Sequence, residues 1–131
     1  MASITNATLT ITHNHTKKTA RPIVKCKVNF TTAELALMKL GGTWFKLKCQ
    51  LWGEDSGFTG ADDYLYTYST VYYFPDVTPA ASEDRTFDVT VGEGVLDEDW
   101  GVDEVYGKLI LQNLVYPSTV TKKTNVVSHS F

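Results

Sequence analysis

Cysteine and proline are scarce in this 131-residue chain, at two and four residues, and glycine is modest at nine. So few prolines and glycines exclude a collagen-like or linker-rich protein. Two cysteines, Cys26 and Cys49, fit a reducing compartment and carry no C-x-x-C spacing or neighbouring histidine that would suggest a metal or redox site. Long apolar runs are missing too: no window approaches the ~18 residues needed to cross a bilayer as a helix, so no transmembrane segment is expected. Met1-Ala2-Ser3-Ile4-Thr5-Asn6 has no basic stretch followed by an apolar one, hence no signal peptide of the Sec type. These absences point to the cytoplasm rather than to secretion. Neither a P-loop nor a dinucleotide fingerprint is present, and no G-x-S-x-G surrounds a serine. No enzymatic activity is expected.

What is present describes one soluble globular domain over residues 1–131. Apolar residues make up 43%, charged residues 21% and aromatics 12%, and a chain this long buries about two thirds of its unfolded surface. The net charge of −3 conceals a polarised sequence. Residues 1–50 hold eight Lys/Arg against the single acid Glu34, a balance of +7, whereas residues 51–131 hold four basic residues against fourteen acids, a balance of −10. A nucleic-acid binder carries a basic excess. Nucleic acid is therefore not an expected partner.

Alternation of period two dominates and gives the fold class: an all-β antiparallel sandwich of about seven strands with one short helix. In Ile23–Phe30, Val24, Cys26, Val28 and Phe30 share one side, with Lys25, Lys27 and Asn29 on the other. In Trp44–Trp52, Phe45, Leu47, Cys49 and Leu51 oppose Lys46, Lys48 and Gln50. Further strands are read in Ala7–Thr12, Tyr64–Phe74, Thr86–Val91, Val105–Leu114 and the Thr- and Val-rich tail Thr119–Phe131. Only Thr31–Leu40 breaks the period. There Thr31-Thr32-Ala33-Glu34 makes a capping box, good helix formers follow, and Gly41-Gly42 supplies a left-handed stop. The spacing of Cys26 and Cys49, with this helix between them, does not match the immunoglobulin hallmark.

Ten acids crowd into two stretches of similar shape, Glu54-Asp55-x-Gly57 to Asp62-Asp63-Tyr64 and Glu98-Asp99-x-Gly101-x-Asp103-Glu104-Val105-Tyr106, preceded by Glu93 and Asp97. If successive strands alternate in direction, both loops leave the same end of the sandwich. Crowded carboxylates repel one another unless a cation cancels them, and calcium accepts six to eight oxygens in loose geometry. A merely solvated acidic end is the alternative. Leu96-Asp97-Glu98-Asp99-Trp100-Gly101-Val102-Asp103-Glu104-Val105-Tyr106-Gly107-Lys108-Leu109 resembles the third calcium loop of C2 domains. The resemblance implies a C2-like sandwich, calcium as cofactor, and Asp97, Asp99 and Asp103 as ligands. Glu54, Asp55 and Asp63 of the other loop are expected to assist. Gly53 stands where that loop would want an Asp, and the Asp-Pro-Tyr strand typical of the family is absent.

Two further surfaces are candidates. Lys25, Lys27, Lys46 and Lys48 would form one basic face if their strands were neighbours, suited to anionic lipid, anionic carbohydrate or an acidic protein partner, including the acidic half of a second copy in a homo-oligomer. The alternative is that lysines guard strand edges. Tyr64, Tyr66, Tyr68, Tyr72 and Phe74 form either an aromatic binding platform or part of the core. His13-Asn14-His15 reads as a solvated hairpin turn, and nothing in the spacing makes a catalytic group of His129. The expected function is a non-catalytic binding or assembly module.

Overall fold

The computed structural model describes residues 1–54, 62–97 and 103–131. In chain order the elements are β1 (Ser3–Asn14), β2 (Thr19–Asn29), α1 (Thr32–Met38), β3 (Phe45–Gly53), β4 (Asp63–Thr67), β5 (Tyr72–Phe74), β6 (Ser82–Asp88), β7 (Val91–Gly92), β8 (Asp103–Asn113), β9 (Ser118–Lys123) and β10 (Val127–His129). They form two antiparallel sheets. The first has the order β1-β2-β6, with β7 continuing beside β2; the second has the order β10-β8-β3-β4, with β5 on β3 and β9 on β8. The expected sandwich is thus present, with one short helix. Among the described residues, ten strands replace seven because the tail divides into β9 and β10, the Tyr64–Phe74 segment into β4 and β5, and the Thr86–Val91 segment into β6 and β7.

Inward residues of both sheets share one core. Leu9, Val24, Val28 and Phe87 from the first sheet meet Leu47, Leu51, Leu109 and Leu111 from the second. The alternation in β2 and β3 turns Cys26 and Cys49 inward, where both are buried free thiols. Burial is the leading cause that pushes both thiols up, Cys26 to about 11. Helix α1 begins as its capping box requires: Thr31 Oγ1 accepts from the Glu34 amide at 3.2 Å, and the Thr31 amide donates to Glu34 Oε1 at 2.8 Å. Glu34 Oε2 also accepts from the Ala2 amide, 3.0 Å away. The helix ends two residues short of Leu40, and Gly41 (φ 100°) and Gly42 (φ 86°) provide the left-handed stop.

Two backbone features depart from plain alternation. Strand β1 shifts register between Thr5 and Thr8, with Asn6 at φ 54°. The bulge resets the alternation, so Ile4 is inward before it and Leu9, Ile11 and His13 are on the core side after it. Along the second sheet, Gly107 permits close approach: a Cβ there would lie 2.9 Å from Val24 Cγ2 and 3.1 Å from Thr124 Cγ2. Its amide donates to Thr124 Oγ1 at 2.8 Å and its carbonyl accepts from the Thr124 amide at 2.9 Å. Thr124 is thereby buried, and the chain turns from β9 toward β10.

Candidate functional site

Strand register sorts the loops into two ends. Gly53 lies opposite both Val105 and Asp63, and the Glu54 amide donates to the Glu104 carbonyl at 2.7 Å. The end of β3 and the starts of β4 and β8 therefore lie side by side. As expected from strand direction, the acidic stretches leave the same end, but along neighbouring strands of one sheet. Glu54 is half-buried, with its carboxylate 3.4 Å from Lys123 Nζ. Asp62 Oδ2 accepts from the Tyr106 hydroxyl at 2.6 Å. That bond, second to burial, raises the Tyr106 phenol above its ordinary range. Asp63 is exposed at the start of β4, and Asp97 is exposed, its amide bonded to the Glu93 carbonyl at 3.0 Å. Asp103 is buried at the start of β8, opposite His129. Asp55 and Asp99 lie outside the described residues. Among the described residues, no three of these carboxylates converge closely enough to share an ion.

Histidines converge there instead. The bulge in β1 leaves His13 on the inward parity with Leu9 and Ile11, and its side chain is only 4% exposed. His15 follows two residues on, its ring centroid 4.0 Å from that of His13. His129 comes from β10 of the other sheet, with Nε2 2.9 Å from His13 Nδ1. On the far side of the His13 ring, Nε2 lies 2.7 Å from Glu93 Oε2. Glu93 is positioned by the pairing of Gly92 with Thr19 and by its own amide, which donates to the Lys18 carbonyl at 2.9 Å. Phe131 packs on both His13 and His129, at 5.3 and 4.8 Å between centroids. The reading of His13-Asn14-His15 as a solvated hairpin turn holds for exposed Asn14 and His15 and is corrected for His13, whose side chain is buried. Carrying the Leu9, Ile11 alternation one step further would have put His13 on the core side; the partnership with His129 has no local signal.

No family model matches the chain. No curated protein matches it either. Among solved structures it is similar to a Northeast Structural Genomics Consortium target, at 7% identity over 99% of this chain and 84% of that one, with a TM-score of 0.39. It is also similar to a Bordetella pertussis protein provisionally named ApaA, at 7% identity over 99% of this chain and 91% of the other, with a TM-score of 0.33.

The opposite end of the second sheet has another character. Trp44 ties three loops together there: its amide donates to the Phe74 carbonyl at 2.9 Å, its carbonyl accepts from the Leu114 amide at 2.7 Å, and its indole N–H donates to the Gly41 carbonyl at 3.1 Å. These loops expose Leu40 (82%), Val77 (94%), Leu114, Val115 and Tyr116 (65%). Exposed Lys39 and half-buried Lys46 and Lys48 stand close by in sequence or register. Two acids at this end, Asp76 and Glu83, are held by Arg85 at 2.8 and 3.4 Å. Burial still leaves the Glu83 carboxyl above its ordinary value.

Two expected surfaces are rearranged. Lys25 and Lys27 belong to β2 in the first sheet, and Lys46 and Lys48 to β3 in the second, so the four do not form one face. Lys108 and Lys123 join the second pair on the outer face, above the rings of Trp52 (5.2 Å) and Tyr106 (4.2 Å). The aromatic row mostly faces inward. Tyr68 and Phe74 are buried, Tyr68 and Tyr72 pack on Phe87, and Tyr64 is left exposed.

Proposed function

We propose that this chain is a non-catalytic binding module that docks on an anionic lipid surface by the end bearing Leu40, Val77, Leu114, Val115 and Tyr116. The observation that carries the reading is the concentration of exposed apolar side chains on three loops tied together at Trp44, beside Lys39, Lys46 and Lys48. Apolar tips with flanking lysines suit a headgroup boundary, each lysine near an anionic surface contributing about 1 kcal/mol. The acids at the other end would turn that end away from such a surface, orienting the approach. Sedimentation with vesicles tests this. Binding is expected to vesicles of phosphatidylserine and phosphatidylcholine, weakening with salt, and not to phosphatidylcholine alone. Val115→Asp with Tyr116→Asp should abolish it, and Lys46→Glu with Lys48→Glu should reduce it. Absence of binding, or a concentration-dependent dimer lost in the same apolar variants, overturns the lipid reading and in the second case favours assembly through this end.

A second reading concerns calcium at the acidic end, with Asp97, Asp99 and Asp103 as ligands and Glu54, Asp55 or Asp63 assisting, as the resemblance to C2 loops implies. Its support is the adjacency of β3, β4 and β8, the strands that flank the first acidic stretch and follow the second.

A further inference from the structure

We propose that His13, His15 and His129 bind one borderline divalent transition ion, of which zinc is the type, with Glu93 as the carboxylate that orients His13. One ring nitrogen of each ligand must reach a common point, and the three histidines are near enough for ring rotations to bring them there: their ligand atoms lie within 4.8 Å of one another. The proposal is independent of the lipid reading and concerns the other end of the sandwich.

The hydrogen bonding of His13 determines which nitrogen is available. An ionised carboxylate only accepts, so Glu93 Oε2, 2.7 Å away, accepts a hydrogen bond from His13 Nε2–H. In the neutral ring this leaves the lone pair on Nδ1, directed toward His129 Nε2 at 2.9 Å. Metal-binding histidines characteristically donate their other N–H to a carboxylate in this way, which fixes the tautomer and strengthens the ligand. Two imidazole nitrogens on a tetrahedral zinc ion, each 2.0–2.1 Å from it, are about 3.3 Å apart. The exposed His129, whose Nε2 donates to His13 Nδ1 at 2.9 Å without the ion, has to carry its proton on the other ring nitrogen and turn so that both lone pairs meet at the ion. His15 is also exposed, in the turn just after β1 with its ring beside that of His13, so it can turn without disturbing the core. Imidazole ligands select zinc, copper or nickel over calcium and magnesium, which prefer oxygen. A three-histidine set leaves one position for water.

The preorganisation is uneven in a useful way. His13 is held by Glu93 and by packing against Phe131, whereas His15 and His129 are exposed. A rigid ligand with two adjustable ones costs less ordering than three loose surface histidines.

Calorimetric titration of the untagged full chain with zinc, and with cobalt followed by its visible absorption, tests the site. One equivalent should bind saturably, cobalt should give the intense bands of a four-coordinate site, and excess calcium or magnesium should not bleach those bands. His15→Ala and His129→Ala, both at exposed positions, should each weaken zinc at least tenfold. Glu93→Gln should weaken it roughly 10–100-fold, the usual effect of removing a carboxylate partner. His13→Ala is a further variant, read only after its circular dichroism matches that of the wild type. No saturable uptake, or uptake equal to wild type in the His15→Ala and His129→Ala variants, overturns the proposal. Uptake that depends on His15 and His129 but is indifferent to Glu93→Gln removes the orienting role assigned to that carboxylate.

Discussion

Asn125 does at residue scale what an added strand would do. Its amide oxygen accepts from the Leu9 amide at 2.8 Å, and its amide nitrogen donates to the Leu9 carbonyl at 3.1 Å. Those two groups of β1 point away from β2 and would otherwise seek water at the margin of the sandwich. Asn125→Ala removes both bonds and is expected to cost about 1–3 kcal/mol, read as a lower urea midpoint with an unchanged slope. Asn125→Asp retains only the acceptor and should fall between the two. An unchanged midpoint in Asn125→Ala would mean that water serves Leu9 equally well. None of this was legible in the sequence, because a side chain that imitates a backbone partner 116 positions away leaves no periodic trace.

Among the elements, α1 was the most legible, since its start and stop are local chemistry. Thr31 and Glu34 satisfy each other's backbone amides, and Gly41 and Gly42 adopt the conformation a side chain would resist. Thr31→Ala is expected to lower stability by about 0.5–2 kcal/mol, measured by thermal or chemical denaturation. The loss should approach the upper value if Glu34, freed from Thr31, also loosens its bond to the Ala2 amide. Strands β2, β3 and β8 were legible for a similar reason: alternation in a half-buried strand is set within the strand. Which strands neighbour each other was not, because register depends on distant pairing. Lys27 and Lys46 illustrate the difference: both were correctly read as outward, yet they stand on opposite sheets. The bulge at Asn6 separates the parity of Ile4 from that of Leu9 and Ile11, so the inward face of His13 follows from the alternation just before it and not from the start of the strand.

For the whole molecule, the charge asymmetry of the sequence becomes a difference between ends only in part. Glu54, Asp62, Asp63, Glu93, Asp103 and Glu104 all fall at one end, whereas Lys25, Lys27, Lys46 and Lys48 are divided between two outer faces. Calcium and zinc at the acidic end are separable by their ligands. If calcium binds the folded chain alone, a hundredfold excess over Kd stabilises it by about 2.7 kcal/mol, a rise of several degrees in Tm. Asp97→Asn with Asp99→Asn should abolish that rise, and His129→Ala should leave it intact. Magnesium should do less, since it demands stricter geometry. A Tm unmoved by millimolar calcium, with the double Asn variant melting higher than the parent, would identify the carboxylates as a solvated, mutually repelling surface. The grouping of acids at one end was legible from strand direction. The gathering of the histidines was not, as it joins positions 13 and 129 from different sheets.

The contacts between β1 and the segment 124–129 also bear on how the fold is reached. Leu9 with Asn125, and His13 with His129, close loops spanning 116 positions. Contacts so distant recover their loop-closure entropy late, and chains dominated by such pairings fold in milliseconds to seconds. β10 pairs with β8 over only three residues, so it gains little before β1 is in place. Closure of this seam is thus expected to fall after the main folding barrier, making it a determinant of how slowly the native chain comes apart more than of how fast it forms. An ion held between His13 and His129 would act on the same step, as a latch on the unfolding rate.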